Sequence, residues 1–231
     1  MLRLLAIPAG LIVLLVAAMV WSGAAGQHEA PADFVFINRG DINTLDPKSM
    51  SWLQDIRLAY AIWEGLYTLD TKNELVMGAI PGASEAAEIS PDGTVYTFKI
   101  RENARWCNGD PLLAKDFVFA WRRSLEEPGE YTYLLHYIKG ATEYENAYLA
   151  VTEAKVGGAT TQAVADFSTV GVEVMNDKTL RVTLTQPVAF FLDLCAFPAY
   201  FPLHEASMRP FAVKDAKTGA VIYDQAFTHP P

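Results

Sequence analysis

The sequence predicts an α+β fold, and three segments carry that reading. From Val95 to Ile100, Tyr96, Phe98 and Ile100 alternate with Val95, Thr97 and Lys99, the two-residue period of a half-buried strand. Phe117, Ala120, Trp121, Ser124 and Leu125 recur at helical spacing and build one apolar stripe. Val172 and Val174 face Leu180, Val182 and Leu184 across Asn176-Asp177-Lys178, the pattern of a β-hairpin. Strands and helices in mixed order, joined partly by hairpins, give this class.

The elements follow in order. Residues 1–26 read as a targeting segment: Arg3 supplies the positive region, Leu4 to Val20 is almost wholly apolar, and Ser22 to Gly26 is rich in small residues. Cleavage after Ala24 or Gly26 fits that flank, and an uncleaved anchor is the alternative, because the apolar run reaches the ~20 residues of a spanning helix. Gln27 to Asp33 is a polar linker, Phe34 to Asn38 an apolar strand, and Arg39 to Asp46 a loop. Ile56, Ala59, Tyr60 and Trp63 form a helical stripe that Gly65 ends as the residue after the cap. Leu66–Leu69 and Leu75–Met77 flank Asp70-Thr71-Lys72-Asn73 as a hairpin, and Pro81-Gly82 breaks the chain.

Asp92-Gly93 turns into the strand at Val95. Beyond it, Asp110 and Pro111 suit the cap and first residue of the helix that carries the Phe117–Leu125 stripe, with Lys115, Arg122 and Arg123 off that stripe. Glu126 to Glu130 is a polar loop, and Tyr131, Tyr133, Leu134, Leu135, Tyr137 and Ile138 form an aromatic cluster. Lys155 to Thr169 is a small-residue loop leading into a short helix. Thr185 can cap a last helix, with Pro187 near its first turn and Phe190, Phe191 and Leu194 on its apolar face.

Composition excludes several classes of function. The 231 residues are 51% apolar and 12% aromatic, which rules out disorder. The net charge is −9; without residues 1–26 the chain loses one arginine and no acid, leaving 17 basic against 27 acidic residues, a net −10. Such a body repels nucleic acid and anionic membrane surfaces. Catalysis has no support: the sequence contains no G-x-S-x-G, S-x-x-K, H-E-x-x-H, C-x-x-C, P-loop or G-x-G-x-x-G. His28, His136, His204 and His229 lie far apart and make no metal set, and Glu126-Glu127 and Glu143 with Glu145 read as solvated charge. No cofactor is implied. Cys107 and Cys195 lie far apart in sequence with nothing local forcing them together, and both are expected to stay free.

The block DGTVYTFKIRENARWCNGDPLLAKDFVFAWRR from Asp92 to Arg123 resembles the signature of the extracytoplasmic oligopeptide- and dipeptide-binding proteins of ABC importers, bacterial solute-binding protein family 5. LDP at Leu45 to Pro47, WEGLY at Trp63 to Tyr67 and VEVMNDKTLRVTLTQPVAFF from Val172 to Phe191 occur in the family's order and at about its spacing. Two positions depart from it: Leu113 stands where the family has Thr or Ser, so that Asp110 must replace the usual cap, and Cys107 stands where it has Ser or Thr.

The resemblance implies a periplasmic-binding-protein-like lobe with an inserted smaller α/β domain. Residues 27–63 and 187–231 correspond to the first lobe and 64–186 to the inserted domain, with the second large lobe of the family missing. It implies a solute-binding protein, not an enzyme, that captures extended peptides outside the cytoplasm and delivers them to an ABC permease; no cysteine stands near the end of residues 1–26, so a lipid anchor is not expected. A membrane-tethered sensor without transport is the competing reading. By the family's pattern Ser51, Trp52 and Leu53 run as an extended strand along the peptide and exchange main-chain hydrogen bonds with it, and Tyr131 touches ligand. The alternatives are a core role for Tyr131 and an ordinary surface or core role for Trp52. The partners so implied are a peptide and permease subunits, with no nucleic acid, and with the membrane reached only through the permease or an uncleaved N-terminal segment.

Overall fold

A computed structural model describes residues 15, 37–38, 40–80, 87–156, 166–216 and 221–223. The chain divides into two compact units, Met1–Arg39 and Gly40–Pro231, and the architecture below is that of the second. The expected targeting segment, linker, most of the Phe34–Asn38 strand and Pro81-Gly82 lie outside the described residues. Among the described residues no helix is long and apolar enough to cross a membrane.

The strands expected from alternation form as written. β1 (Tyr67–Leu69) and β2 (Leu75–Met77) pair antiparallel, with Asn73 taking the left-handed φ of 64° that closes their turn. β3 (Glu88–Ile89), β4 (Val95–Lys99), β5 (Val172–Asn176) and β6 (Thr179–Thr183) build one antiparallel sheet in the order β3-β4-β6-β5. Tyr96 lies opposite Val182 and Phe98 opposite Leu180, all buried, while Val95, Thr97 and Lys99 face outward opposite Thr183, Arg181 and Thr179. The hairpin register is Val172 to Val182 and Val174 to Leu180, with an irregularity between Val174 and Asn176. Gly93, at φ 70°, makes the turn before β4; the Asp92 carboxylate accepts from the Ser90 and Thr94 hydroxyls, which lowers its pKa.

The longer helices are α1 (Leu53–Ile62), α2 (Ala114–Glu126) and α3 (Ala141–Val156); α2 packs on β5 and β6, and α3 packs on α2. The α2 stripe is buried as its spacing demands, with Phe117, Ala120, Trp121 and Leu125 in the same core as Phe98, Leu180 and Val182. Trp121 Nε1 donates to the Tyr200 carbonyl at 3.0 Å, and the Tyr200 hydroxyl donates to the Leu134 carbonyl at 2.8 Å, so two large aromatics enter the core with their polar atoms satisfied. Edge-on or tilted rings run from Tyr67 through Phe98 and Phe191 to Tyr200 and Trp121. Each such side chain contributes on the order of 1.5–3 kcal/mol by burial. Residues from 66 to 184 and from 188 to 203 share this single core.

Three helix boundaries differ from expectation. Asp110 and Pro111 do not open α2: Pro111 bridges Arg105, the helix begins at Ala114 after Leu113, and Asp116 Oδ2 accepts from the Leu113 N–H at 2.9 Å. An acid three residues inside the helix thus replaces the missing Ser or Thr cap. Gly65 is not the residue after a helix cap, because α1 ends at Ile62 with Trp63 already extended. Gly65 is needed for close approach, since a Cβ there would lie 2.5 Å from the Cys195 carbonyl. Thr185 caps nothing; its N–H donates to Tyr137, and the following helix, α4 (Phe191–Leu194), starts later. The aromatic cluster winds as a 3-10 helix, Thr132–Tyr137. The expected short helix before β5 is the 3-10 turn Phe167–Thr169, and residues 157–165 ahead of it lie outside the described residues. A short helix α5 (Glu205–Met208) and a hairpin of β7 (Ala212–Lys214) with β8 (Val221–Tyr223) follow the core.

Candidate functional site

The Leu45-Asp46-Pro47 motif is held by a charge on a distant helix. Pro47 opens a 3-10 turn, Pro47–Ser49, with Asp46 as its cap, since the proline φ is already set for the first helical position. The Asp46 side chain is fully buried and meets Arg123 of α2 in a two-pronged ion pair, Nη1 to Oδ1 at 2.8 Å and Nη2 to Oδ2 at 2.6 Å. Arg123, off the apolar stripe and therefore expected on the surface, is 4% exposed. Its Nη2 also lies 3.6 Å from Glu127, its guanidinium sits 4.9 Å from the Tyr223 ring centre, and Lys48 lies 3.4 Å from Glu127. Burial raises the Glu127 pKa, opposed by the charges of Lys48 and Arg123.

That anchor places the chain just downstream. Met50 is buried against Ala59 and Phe201, a small second core that also packs Ile56 and Trp63. The next three residues turn outward: Ser51 is exposed, and Trp52 and Leu53 are 62% and 51% exposed. The expected strand is only half formed. Trp52 is extended at φ −103° and ψ 147°, but Leu53 is the first residue of α1, because the Trp52 carbonyl accepts from the Asp55 and Ile56 N–H groups and starts the helix. Among the described residues the N–H groups of Ser51, Trp52 and Leu53 carry no internal hydrogen bond. These unpaired main-chain donors end on the N-terminus of α1.

Tyr131 reaches this region through Gly129. A Cβ on Gly129 would collide with the Lys48 carbonyl, so the loop after α2 and the turn after Asp46 touch backbone to backbone. Tyr131 follows two residues later, half-buried, with ring contacts to Phe197 at 5.0 Å and Tyr133 at 6.4 Å. It packs on the core edge, and its ring partners do not include Trp52. The structure therefore brings together the two segments that carry the expected contact residues, at Lys48 and Gly129, without stacking the side chains on one another.

Other polar groups have structural roles. Glu126 accepts from the Tyr144 hydroxyl at 2.5 Å and from Arg122 at 2.7 Å, and Glu127 joins the Asp46 network, so this pair is not merely solvated charge. Of the other acid pair, Glu145 meets His136 at 2.7 Å; His204 lies 3.3 Å from Asp110. Among the described residues no group of His, Cys, Asp and Glu could hold a metal. Cys107 is exposed and Cys195 buried, both free as expected, and burial pushes the Cys195 thiol well up.

Comparison with known proteins identifies the family. The profile of "Bacterial extracellular solute-binding proteins, family 5 Middle" matches residues 78–227. The oligopeptide-binding protein OppA of Bacillus subtilis is 38% identical over 54% of this chain and 20% of its own length. The periplasmic oligopeptide-binding protein OppA of Escherichia coli is 28% identical over 96% of this chain and 38% of its own. A probable deoxycholate-binding periplasmic protein of Escherichia coli, YgiS, is 29% identical over 84% and 33%. Among solved structures, the substrate-binding domain of an oligopeptide ABC transporter from Bacillus anthracis superposes with a TM-score of 0.63 at 34% identity, covering 80% of this chain and 32% of that one. Listeria monocytogenes OppA bound to peptide gives 0.60 at 33% identity, covering 73% and 30%. The chain thus spans about a fifth to two fifths of the length of these relatives.

Proposed function

Because the chain belongs to the family 5 bacterial extracellular solute-binding proteins, we propose that it takes part in capturing extended peptides outside the cytoplasm for delivery to an ABC permease. Relatives in this family are solute-binding proteins, not enzymes, and they work in the periplasm or at the cell exterior. In this reading residues 27–63 and 187–231 belong to one lobe and 64–186 to the inserted domain, and residues 188–203 share the core of residues 66–184.

The observation that carries the reading is the exposed row of unpaired N–H groups at Ser51, Trp52 and Leu53, fixed from behind by the buried Asp46–Arg123 pair. A main-chain row recognises what all peptides share, and so supports binding that tolerates sequence. Tyr131, two residues after the Gly129 that touches Lys48, is the proposed side-chain contact, where an aromatic edge would discriminate side chains.

The test is a peptide panel titrated against the 231-residue chain by calorimetry or NMR. Leu53 is the first residue of α1, where proline is tolerated, and Trp52 already has the extended backbone that precedes proline. Leu53→Pro therefore deletes one N–H with the helix kept. It should weaken unrelated peptides by a similar ~1 kcal/mol or more, whereas Tyr131→Ala should reorder them. Unchanged affinities for every peptide with Leu53→Pro, the fold being intact by circular dichroism, would remove Ser51–Leu53 as the peptide's partner.

A further inference from the structure

A second concavity lies away from Ser51–Leu53, between the end of α1 and the segment joining β4 to α2. Its volume is about 420 Å³, within the range of sites for small organic ligands. Two half-buried indoles, Trp63 and Trp106, line it, together with the exposed side chain of Ile62 and the buried Leu112. Trp106 is fixed in place, because its Nε1 donates to Asp116 Oδ2 at 3.0 Å and its ring stacks obliquely on His204 at 5.4 Å.

The charge on the wall is uneven. Arg101 is engaged by Glu64, Nη2 to Oε2 at 2.6 Å, and by the Gly78 carbonyl. Arg105 has no carboxylate partner among the described residues; its Nη1 meets only the Gly109 carbonyl, at 3.1 Å. The lining thus holds two guanidinium groups against one carboxylate, a local positive excess in a chain of net −9.

We propose that this pocket binds a small aromatic carboxylate, its ring against Trp63 and Trp106 and its carboxylate on Arg105. Apolar walls with one uncompensated guanidinium fit a flat apolar body bearing a single negative charge, since Arg donors match a carboxylate in two-pronged geometry and indole faces favour aromatic stacking. A neutral aromatic leaves Arg105 unpaired, and a purely polar anion gains nothing from the indoles. The site does not depend on the peptide-binding reading, because it shares no residue with Ser51–Leu53 or Tyr131.

Cys107 supplies a local readout. It lines the pocket and is exposed, whereas the chain's other thiol, Cys195, is buried, so alkylation of the folded protein reports on this pocket alone. The test titrates the 231-residue chain with 1-naphthaleneacetate and with its neutral amide by NMR, and follows Cys107 alkylation by iodoacetamide with mass spectrometry. The acid should bind at least about tenfold more tightly than the amide and slow alkylation of Cys107 at saturation. Arg105→Gln, a change at an exposed side chain, should reduce the acid to the affinity of the amide and leave the amide unchanged. Equal binding of acid and amide, no protection of Cys107, or an Arg105→Gln protein that still prefers the acid would each overturn the proposal. Because the acid–amide comparison needs no variant, a folding defect in Arg105→Gln leaves it decisive.

Discussion

Removing the positive half of the Asp46–Arg123 pair should be the most damaging single change near the proposed contact surface. Asp46 is fully buried and, among the described residues, Arg123 is the one cation paired with it, at 2.6 and 2.8 Å, so Arg123→Met leaves a carboxylate in the interior with no counter-charge. Breaking a buried pair from one side costs about 3–5 kcal/mol, a large fraction of the ~5–15 kcal/mol that holds a domain together. The reverse change is milder. Asp46→Asn keeps a hydrogen-bond acceptor at the same place, and Arg123 retains Glu127 at 3.6 Å and the face of Tyr223 at 4.9 Å, so the loss should be about 1–3 kcal/mol. The double variant Asp46→Asn with Arg123→Met buries no isolated charge and should recover part of the Arg123→Met loss. Urea unfolding followed by tryptophan fluorescence measures all four corners of the cycle, and hydrogen exchange at Met50–Leu53 reports whether the turn has loosened. The reasoning fails if Arg123→Met lies within ~0.5 kcal/mol of the parent, or if Asp46→Asn proves the more costly of the two.

Two further perturbations probe the same neighbourhood. Gly129→Ala should lower stability by about 1–3 kcal/mol and raise hydrogen exchange in residues 47–53, because its Cβ would collide with the Lys48 carbonyl; an unchanged urea midpoint would show that the two loops part freely. Stability should fall as pH rises above the ordinary tyrosine value of 10.0, because burial and Glu126 hold the Tyr144 hydroxyl protonated in the fold while the unfolded chain ionises and so binds fewer protons. Tyr144→Phe should flatten that slope, and an equally steep loss in the variant, read from urea midpoints across the alkaline range, would exclude Tyr144 as a source.

Sequence pattern revealed elements whose cause is local or periodic. Tyr96, Phe98 and Ile100 alternate into the core, Phe117 to Leu125 stripe one face of α2, and Val172–Leu184 folds back on itself with the expected register, since each depends on side-chain direction along a single element. Helix ends were less legible. Asp110-Pro111 offered a good cap, yet the backbone spends those residues on a bridge to Arg105 and the helix takes Asp116 instead, a choice made by the tertiary path of the loop.

The candidate site was legible as a location and illegible as a mechanism, and the reason is electrostatic. Asp46 was visible as part of a motif, and Arg123 as a cation just off an apolar stripe, but nothing within either segment says that they meet across 77 residues. A charge beside an apolar stripe belongs on the surface unless a counter-charge arrives from elsewhere, and the desolvation cost of burying it is offset only by that distant partner. Their meeting explains why the Ser51–Leu53 segment sits on a fixed base although it is itself exposed and its N–H groups carry no internal hydrogen bond: the charge pair and buried Met50 hold the turn before it, and Gly129 touches that turn at Lys48. Rigid support under an unsatisfied main-chain row reduces the ordering cost when an extended ligand pairs with that row. On the proposed peptide-binding reading, the Arg123 and Gly129 variants should lower peptide affinity as well as stability, although neither residue belongs to the proposed contact row.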